Sequence, residues 1–148
     1  MTAERPGEPV ESPGQQSGAT DPDEARETAY ALLHRGAGLQ QQRHYAQAAT
    51  VLARAARLEP RSGSILEALG RALYNSGQYT PAARTFEEML DLDPSAHYAH
   101  YALGQSLGKL GRQREARTHL RLACALDPGS QLYRSALARL ESALRPER

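Results

Sequence analysis

The chain has 148 residues, enough for one domain of ordinary size and too few for a second independent core. Its 18 basic and 17 acidic side chains nearly cancel, so no whole-molecule field drives it onto nucleic acid or a membrane surface. The single cysteine, Cys124, excludes a disulfide framework and any thiolate metal site needing two sulfurs, and it suits a reducing compartment.

Residues 1–20 hold Pro, Gly, Gln, Ser and Glu with almost nothing apolar, and are expected to form a disordered acidic leader. No basic patch followed by an apolar stretch opens the chain, so no secretory signal is expected. No apolar run approaches the ~18 residues of a membrane span, and the protein reads as cytoplasmic. Asp21-Pro22-Asp23-Glu24 then places acidic groups at the positive end of a first helix. The apolar periodicity predicts helices over 22–41, 45–58, 64–75, 80–91, 96–109, 113–126 and 131–144, followed by a tail, 145–148. Gly77 and Gly111 are expected to end first helices of units, and Pro60, Pro94 and Pro128 to stop second helices. Ser95, Ser130 and Thr80 (before Pro81) are the expected N-caps, and Ser64 to Glu67 spells a capping box. In the last segment Leu132, Leu137, Leu140 and Leu144 are expected to cover the preceding hairpin, with Arg134, Arg139, Glu141 and Arg145 facing water.

Three short strings, LEP ending at Pro60 and LDP ending at Pro94 and Pro128, recur 34 residues apart. With each Pro at position 32 of a unit, the units are 29–62, 63–96 and 97–130. Position 8 is then Gly36, Gly70 and Gly104; position 11 is Leu39, Leu73 and Leu107; position 20 is Ala48, Ala82 and Ala116. Position 24 takes Leu52, Phe86 and Leu120, position 27 takes Ala55, Met89 and Ala123, and position 30 takes Leu58, Leu92 and Leu126. Gly and Ala lack bulk where two helices of a hairpin cross at ~8–10 Å between axes. Leu or Phe at positions 11, 24 and 30 is expected to supply the buried stripe. Period and pattern resemble the tetratricopeptide repeat family over 102 of the residues. There are departures: position 17 is Tyr45, Tyr79 and then Gln113, and the aromatic at position 4 is replaced by Leu32, Leu66 and His100. The resemblance implies an all-α, right-handed α-solenoid of three helix hairpins over 21–144, ended by a solvating helix at 131–144.

No catalytic constellation is present: there is no GxSxG, no phosphate loop with Lys and no Cys with an evident His partner, so no enzyme activity and no cofactor are expected. Among His34, His44, His97, His100 and His119, only His97 and His100 share metal-ligand spacing, and no third ligand follows, so no metal is expected. What the resemblance implies instead is a concave groove lined by first helices, which receives a peptide segment or helix of another protein. The groove positions carry Tyr30, Leu33, Ala37, Gln40 and Gln41, then Ser64, Glu67, Arg71, Tyr74 and Asn75, then Tyr98, Tyr101, Gln105, Gly108 and Lys109. Four of the seven Tyr fall in this set, and Tyr suits recognition because it offers large area and a water-tolerant hydroxyl at small entropy cost.

The carboxylate clamp of chaperone-binding members is absent, since its positions hold Leu33, Ala37, Ala68, Tyr98 and Ala102. Near-neutrality is a cancellation: residues 1–28 hold seven acids and two Arg, whereas 29–148 hold 16 bases and ten acids. An acidic leader folding back over a basic body is one reading of that split, and a solvated linker is the other. Arg54, Arg57, Arg61, Arg112, Arg114, Arg117 and Arg121 recur on second helices, but the acidic middle unit interrupts them and no aromatic residues interleave, which argues against nucleic acid. The sequence therefore reads as an adaptor or scaffold with a protein partner and no small-molecule substrate. A dedicated chaperone for a secreted or assembling client, or an accessory subunit of an enzyme or nucleic-acid complex, are the alternatives, and self-association through the stack ends is open.

Overall fold

The computed structural model describes residues 22–146, with side chains from Thr28 onward. The expected leader, residues 1–20, lies outside the described residues, as do the last two residues of the tail. Seven helices follow one another: α1 (Pro22–Gln41), α2 (Tyr45–Leu58), α3 (Gly63–Asn75), α4 (Tyr79–Leu92), α5 (His97–Lys109), α6 (Gln113–Leu126) and α7 (Gln131–Leu144). Each agrees with its sequence expectation to within one residue at either end, because Gly and Pro act locally. The residue preceding each stop proline is extended, with φ/ψ of −133°/80° at Glu59, −146°/94° at Asp93 and −135°/80° at Asp127. Proline's ring forbids the helical conformation to its predecessor, so the second helices end there. Gly77 (φ 81°) and Gly111 (φ 80°) take the left-handed conformation that closes α3 and α5. In the first unit the corresponding residue is Arg43, held at φ 63°.

Helix starts differ from the sequence expectation at three of four places. Ser62, not Ser64, caps α3, its hydroxyl accepting from the Ile65 N–H, so the Ser64 to Glu67 capping box does not form. Ala96 caps α5, because the Ser95 hydroxyl and N–H are committed to the Asp93 carboxylate at 2.7 and 3.0 Å. These bonds hold the Asp93 carboxyl below its usual range. Gln78 precedes α4, which places Thr80 and Pro81 inside its first turn, where a missing N–H is harmless. Ser130 caps α7 as expected, accepting from Tyr133 N–H at 3.2 Å.

Consecutive helices pack throughout, and α1–α3, α3–α5 and α5–α7 also touch. No such contact links the even helices among the described residues, so the odd helices form the inner, tighter layer of a curved stack. Phe86, Leu52, Leu66, Leu103, Leu107 and Leu120 are essentially fully buried, each worth ~1.5–3 kcal/mol of transfer free energy. Position 8 shows why it is Gly: an added Cβ would stand 2.5 Å from Leu52 at Gly36, 2.6 Å from Phe86 at Gly70 and 2.9 Å from Leu120 at Gly104. Position 30 departs from expectation, since Leu58 is 43% and Leu126 42% exposed. Each is the last residue of its helix and projects past the crossing that buries position 24. The inward face of α7 is also shifted by one residue. Tyr133 and Ala136 are buried and Leu140 packs on the core, while Leu132 is 52% exposed and Leu144 is exposed. The Ser130 cap sets this phase, and Tyr133 fixes it by stacking on Tyr101 and bonding to His97.

Candidate functional site

The inner layer carries two adjoining clefts. Arg71, Tyr74 and Asn75 of α3, Phe86 of α4, and Tyr98, Tyr101, Ala102 and Gln105 of α5 enclose about 220 Å³. Tyr74 and Gln105 also line a second, more open cleft of about 460 Å³, completed by Gly108, Lys109 and Gln113 and by Ala136, Arg139 and Leu140 of α7. The helical period explains the grouping, since residues 71, 74 and 75 and residues 98, 101, 102 and 105 recur at three- and four-residue steps on one face of their helices.

Aromatic rings brace one another along this surface. Tyr98 sets its edge on buried Phe86, centroids 6.3 Å apart at 77°, and meets Tyr101 at 6.0 Å. Tyr101 stacks on Tyr133 at 5.0 Å and 29°, and Tyr133 Oη is hydrogen-bonded to His97 Nδ1 at 2.7 Å. Gln105 donates to the Tyr101 hydroxyl at 3.4 Å. Tyr74 meets Tyr79 edge-on at 5.3 Å, and the Lys109 ammonium stands 6.0 Å from the Tyr79 centroid. Burial pushes the Tyr98 hydroxyl up to about 12, against the pull of Arg71 and with the push of Glu67. Burial likewise raises Tyr74 and Tyr133. All three hydroxyls are therefore neutral near pH 7 and serve as hydrogen-bonding groups, Tyr133 internally with His97 and Tyr74 and Tyr98 at the cleft, with no ionised nucleophile or base among them.

The structure brings together eight of the expected groove residues, Arg71, Tyr74, Asn75, Tyr98, Tyr101, Gln105, Gly108 and Lys109. Glu67 stands one turn before Arg71, close enough to act on the Tyr98 and Tyr133 hydroxyls. The five expected residues of α1, Ala37 among them, do not join them. Tyr30 is 63% exposed and packs edge-on against His34. Leu33 is drawn into the core, Gln40 donates to the Ala68 carbonyl at 3.1 Å and so ties α1 to α3, and Gln41 is exposed outside both clefts. Gln113, Ala136, Arg139 and Leu140 of the second cleft, and Tyr133, which backs Tyr101 from the core, were not read as site residues from the sequence. The signal was available in α7, where 133, 136, 137 and 140 keep helical phase from the Ser130 cap.

His97 and His100 do not face a common point. His97 is bonded to Tyr133, while buried His100 donates from Nε2 to the Pro94 carbonyl at 2.9 Å, which leaves its Nδ1 to accept from His119 Nδ1 at 3.1 Å. Among the described residues no three His, Cys, Asp or Glu side chains are grouped to hold a metal. Also among them, no helix is long and apolar enough to cross a membrane. Of the seven recurring Arg, Arg112 is paired with Glu115 at 2.6 Å and Arg121 with Glu141 at 3.3 Å.

Seven helices stacked as hairpins, with an inner layer that presents aromatic residues in open clefts, define a helical-repeat solenoid protein. The chain belongs to the tetratricopeptide repeat family, whose model matches residues 33–83 and 67–131. No curated protein sequence matches it significantly. Among solved structures, the first TPR domain of Spaghetti (RPAP3) bound to the HSP90 peptide SRMEEVD superposes with a TM-score of 0.75 at 18% identity, covering 80% of this chain and 94% of that one. The Arabidopsis OM64 TPR domain gives 0.76 at 18% identity, covering 81% and 99%. The Yersinia enterocolitica type III secretion chaperone SycD, in complex with a peptide of the translocator YopD, gives 0.68 at 21% identity, covering 80% and 90%. Domains of this family are protein–protein interaction modules, and the fold is generally a non-enzymatic scaffold.

Proposed function

We propose that this protein is a cytoplasmic adaptor or scaffold that binds a peptide segment or helix of one partner protein across the inner faces of α3, α5 and α7. The observation that carries the reading is the braced row of Tyr98, Tyr101 and Tyr133 beside an open cleft that Tyr74 and Gln105 extend to α7. Rings held by one another before the ligand arrives lose little entropy on binding; buried Tyr133 backs Tyr101, and the neutral hydroxyls of Tyr74 and Tyr98 satisfy polar groups of an incoming backbone. The peptide complexes of the Spaghetti domain and of SycD support the same use of the fold. The clamp that would select a terminal carboxylate is replaced by apolar residues and Tyr98, so an internal segment is the expected ligand.

Affinity purification from native lysate tests the reading, with wild type beside Gln105→Trp, which fills both clefts, and Tyr101→Ala. The expected result is a protein captured by wild type and lost with both variants while both retain their helical signal. Equal capture by all three would overturn it. A dedicated chaperone is the second reading, resting on the likeness to SycD. It predicts a stoichiometric complex with a single client, where an adaptor exchanges partners.

A further inference from the structure

We propose that the second cleft is built to take a carboxylate side chain of the bound segment, so that the partner segment is acidic with apolar residues beside its Asp or Glu. This inference rests on the groove reading above and names the chemistry of its ligand.

Three cations face the joined clefts, Arg71 in the first and Lys109 and Arg139 in the second, and no acidic side chain lines either. The ion pairs among the described residues are Arg112 with Glu115 and Arg121 with Glu141, so none of the three is neutralised by direct contact. Glu67, the acid nearest the first cleft, acts on the hydroxyls of Tyr98 and Tyr133 and lines neither cleft. Lys109 stands at the outer limit of a cation–π contact with Tyr79, which leaves its N–H donors for a ligand. Arg139 acts on the Tyr74 hydroxyl and so faces the junction of the two clefts.

A second, independent observation comes from position 17. Tyr45 and Tyr79 occupy it in the first two units, but the third has Gln113, which borders the second cleft. Its Oε1 is buried and has no hydrogen-bond partner. A buried polar atom without a partner is costly and rare, so a conformation in which the amide finds one is favoured. Rotated outward into the cleft, the Gln113 amide leaves that unsatisfied position and presents its N–H donors to the same carboxylate that Lys109 and Arg139 attract. Ala136 and Leu140 form an apolar wall beside them, which strengthens the charge interaction by excluding water and accepts a neighbouring apolar side chain. Residues 29–148, with 16 bases against ten acids, steer an acidic segment toward this surface.

The test uses the full chain and a random twelve-residue peptide library displayed with both ends embedded, so that no terminal carboxylate is offered. Selected peptides are then titrated against wild type, Gln105→Trp and the double variant Lys109→Gln/Arg139→Gln, with thermal melts of each. Both cations are exposed, so the double variant is expected to melt as wild type does. Peptides enriched in Asp or Glu beside Leu, Ile or Phe, weakened about tenfold or more by the double variant and less so at high salt, are the expected result. Peptides lost with Gln105→Trp but lacking acidic enrichment, or indifferent to the double variant, overturn the carboxylate inference and leave the groove reading standing. Peptides indifferent to Gln105→Trp overturn both. Tighter binding when Glu4, Glu8 and Glu11 are changed to Gln would make the chain's own N-terminal segment the occupant and overturn the assignment to a partner.

Discussion

Gly70→Ala isolates the physical reason for the repeat's most regular feature. In an open helix this change is favourable, since Ala is the better helix former by ~0.5–1 kcal/mol. At Gly70 the new methyl would stand 2.6 Å from Phe86 Cε1 and Cζ and 3.1 Å from Cδ1, whereas carbon atoms rest ~3.5–4.0 Å apart. The ring would have to retreat by about 1 Å, yet Phe86 is 1% exposed and Tyr98 packs behind it. Overpacking of this kind costs ~1–3 kcal/mol, so the net expectation is a loss of about 0.5–2 kcal/mol once the propensity gain is subtracted. Gly38→Ala is the control, because nothing lies within 4 Å of the point its new methyl would occupy, and it should gain up to ~0.5–1 kcal/mol. Urea denaturation of wild type, both single variants, Phe86→Val and Gly70→Ala/Phe86→Val completes a cycle. Without the ring atoms the methyl meets, Gly70→Ala should become neutral or stabilising. A Gly70→Ala protein as stable as wild type, or a loss that persists unchanged in the Phe86→Val background, would refute the reasoning.

Three further outcomes follow from local geometry. Arg43 holds a left-handed conformation where the later units have Gly77 and Gly111, so Arg43→Gly should raise the urea midpoint, with a gain of about 0.5–1 kcal/mol. Ser62→Ala should cost ~1 kcal/mol by removing the α3 cap, whereas Ser64→Ala, at an exposed non-capping position, should stay within ~0.5 kcal/mol; equal effects would restore the Ser64 capping box. Burial first, and His100 second, hold the His119 imidazole below its ordinary 6.5, with Glu87 and Glu115 opposing. The unfolded chain therefore takes the proton more readily, and stability is full above about pH 7 and falls as pH drops below about 6.5. Urea midpoints measured from pH 7.5 to 5 should show this decline in wild type and a flatter profile in His119→Gln.

What the sequence made legible is what neighbouring residues decide together. A proline forces its predecessor out of the helix, a glycine reverses the chain, and a 34-residue period repeats both, so the bounds of all seven helices follow from the sequence to within a residue. Caps were harder because two serines, Ser62 and Ser64, compete at the start of α3, and at α5 only the partner already held, Asp93, settles that the Ser95 hydroxyl is not free. The site divides along the same line. Residues 71, 74 and 75 and residues 98, 101 and 105 share faces of single helices, and the helical period alone groups them. Tyr133 enters through a bond to His97, 36 positions away, and His100 is satisfied by His119, 19 positions away. Neither pairing has a local signal.

Departures from the repeat say more about what is particular to this chain than agreement with it does. A matching residue such as Gly104 explains why helices approach, which any member of the family must achieve. A mismatch has to be absorbed by the molecule's own surroundings. His100 in place of an aromatic is absorbed by bonds to Pro94 and His119, so that departure is structural. Gln113 in place of Tyr is not absorbed: its buried oxygen has no partner, and the space beside it opens onto Lys109 and Arg139. The same comparison with units one and two that identifies the fold therefore picks out the end of the inner layer where this chain differs from its own repeat, and that difference is the one the proposed carboxylate contact uses.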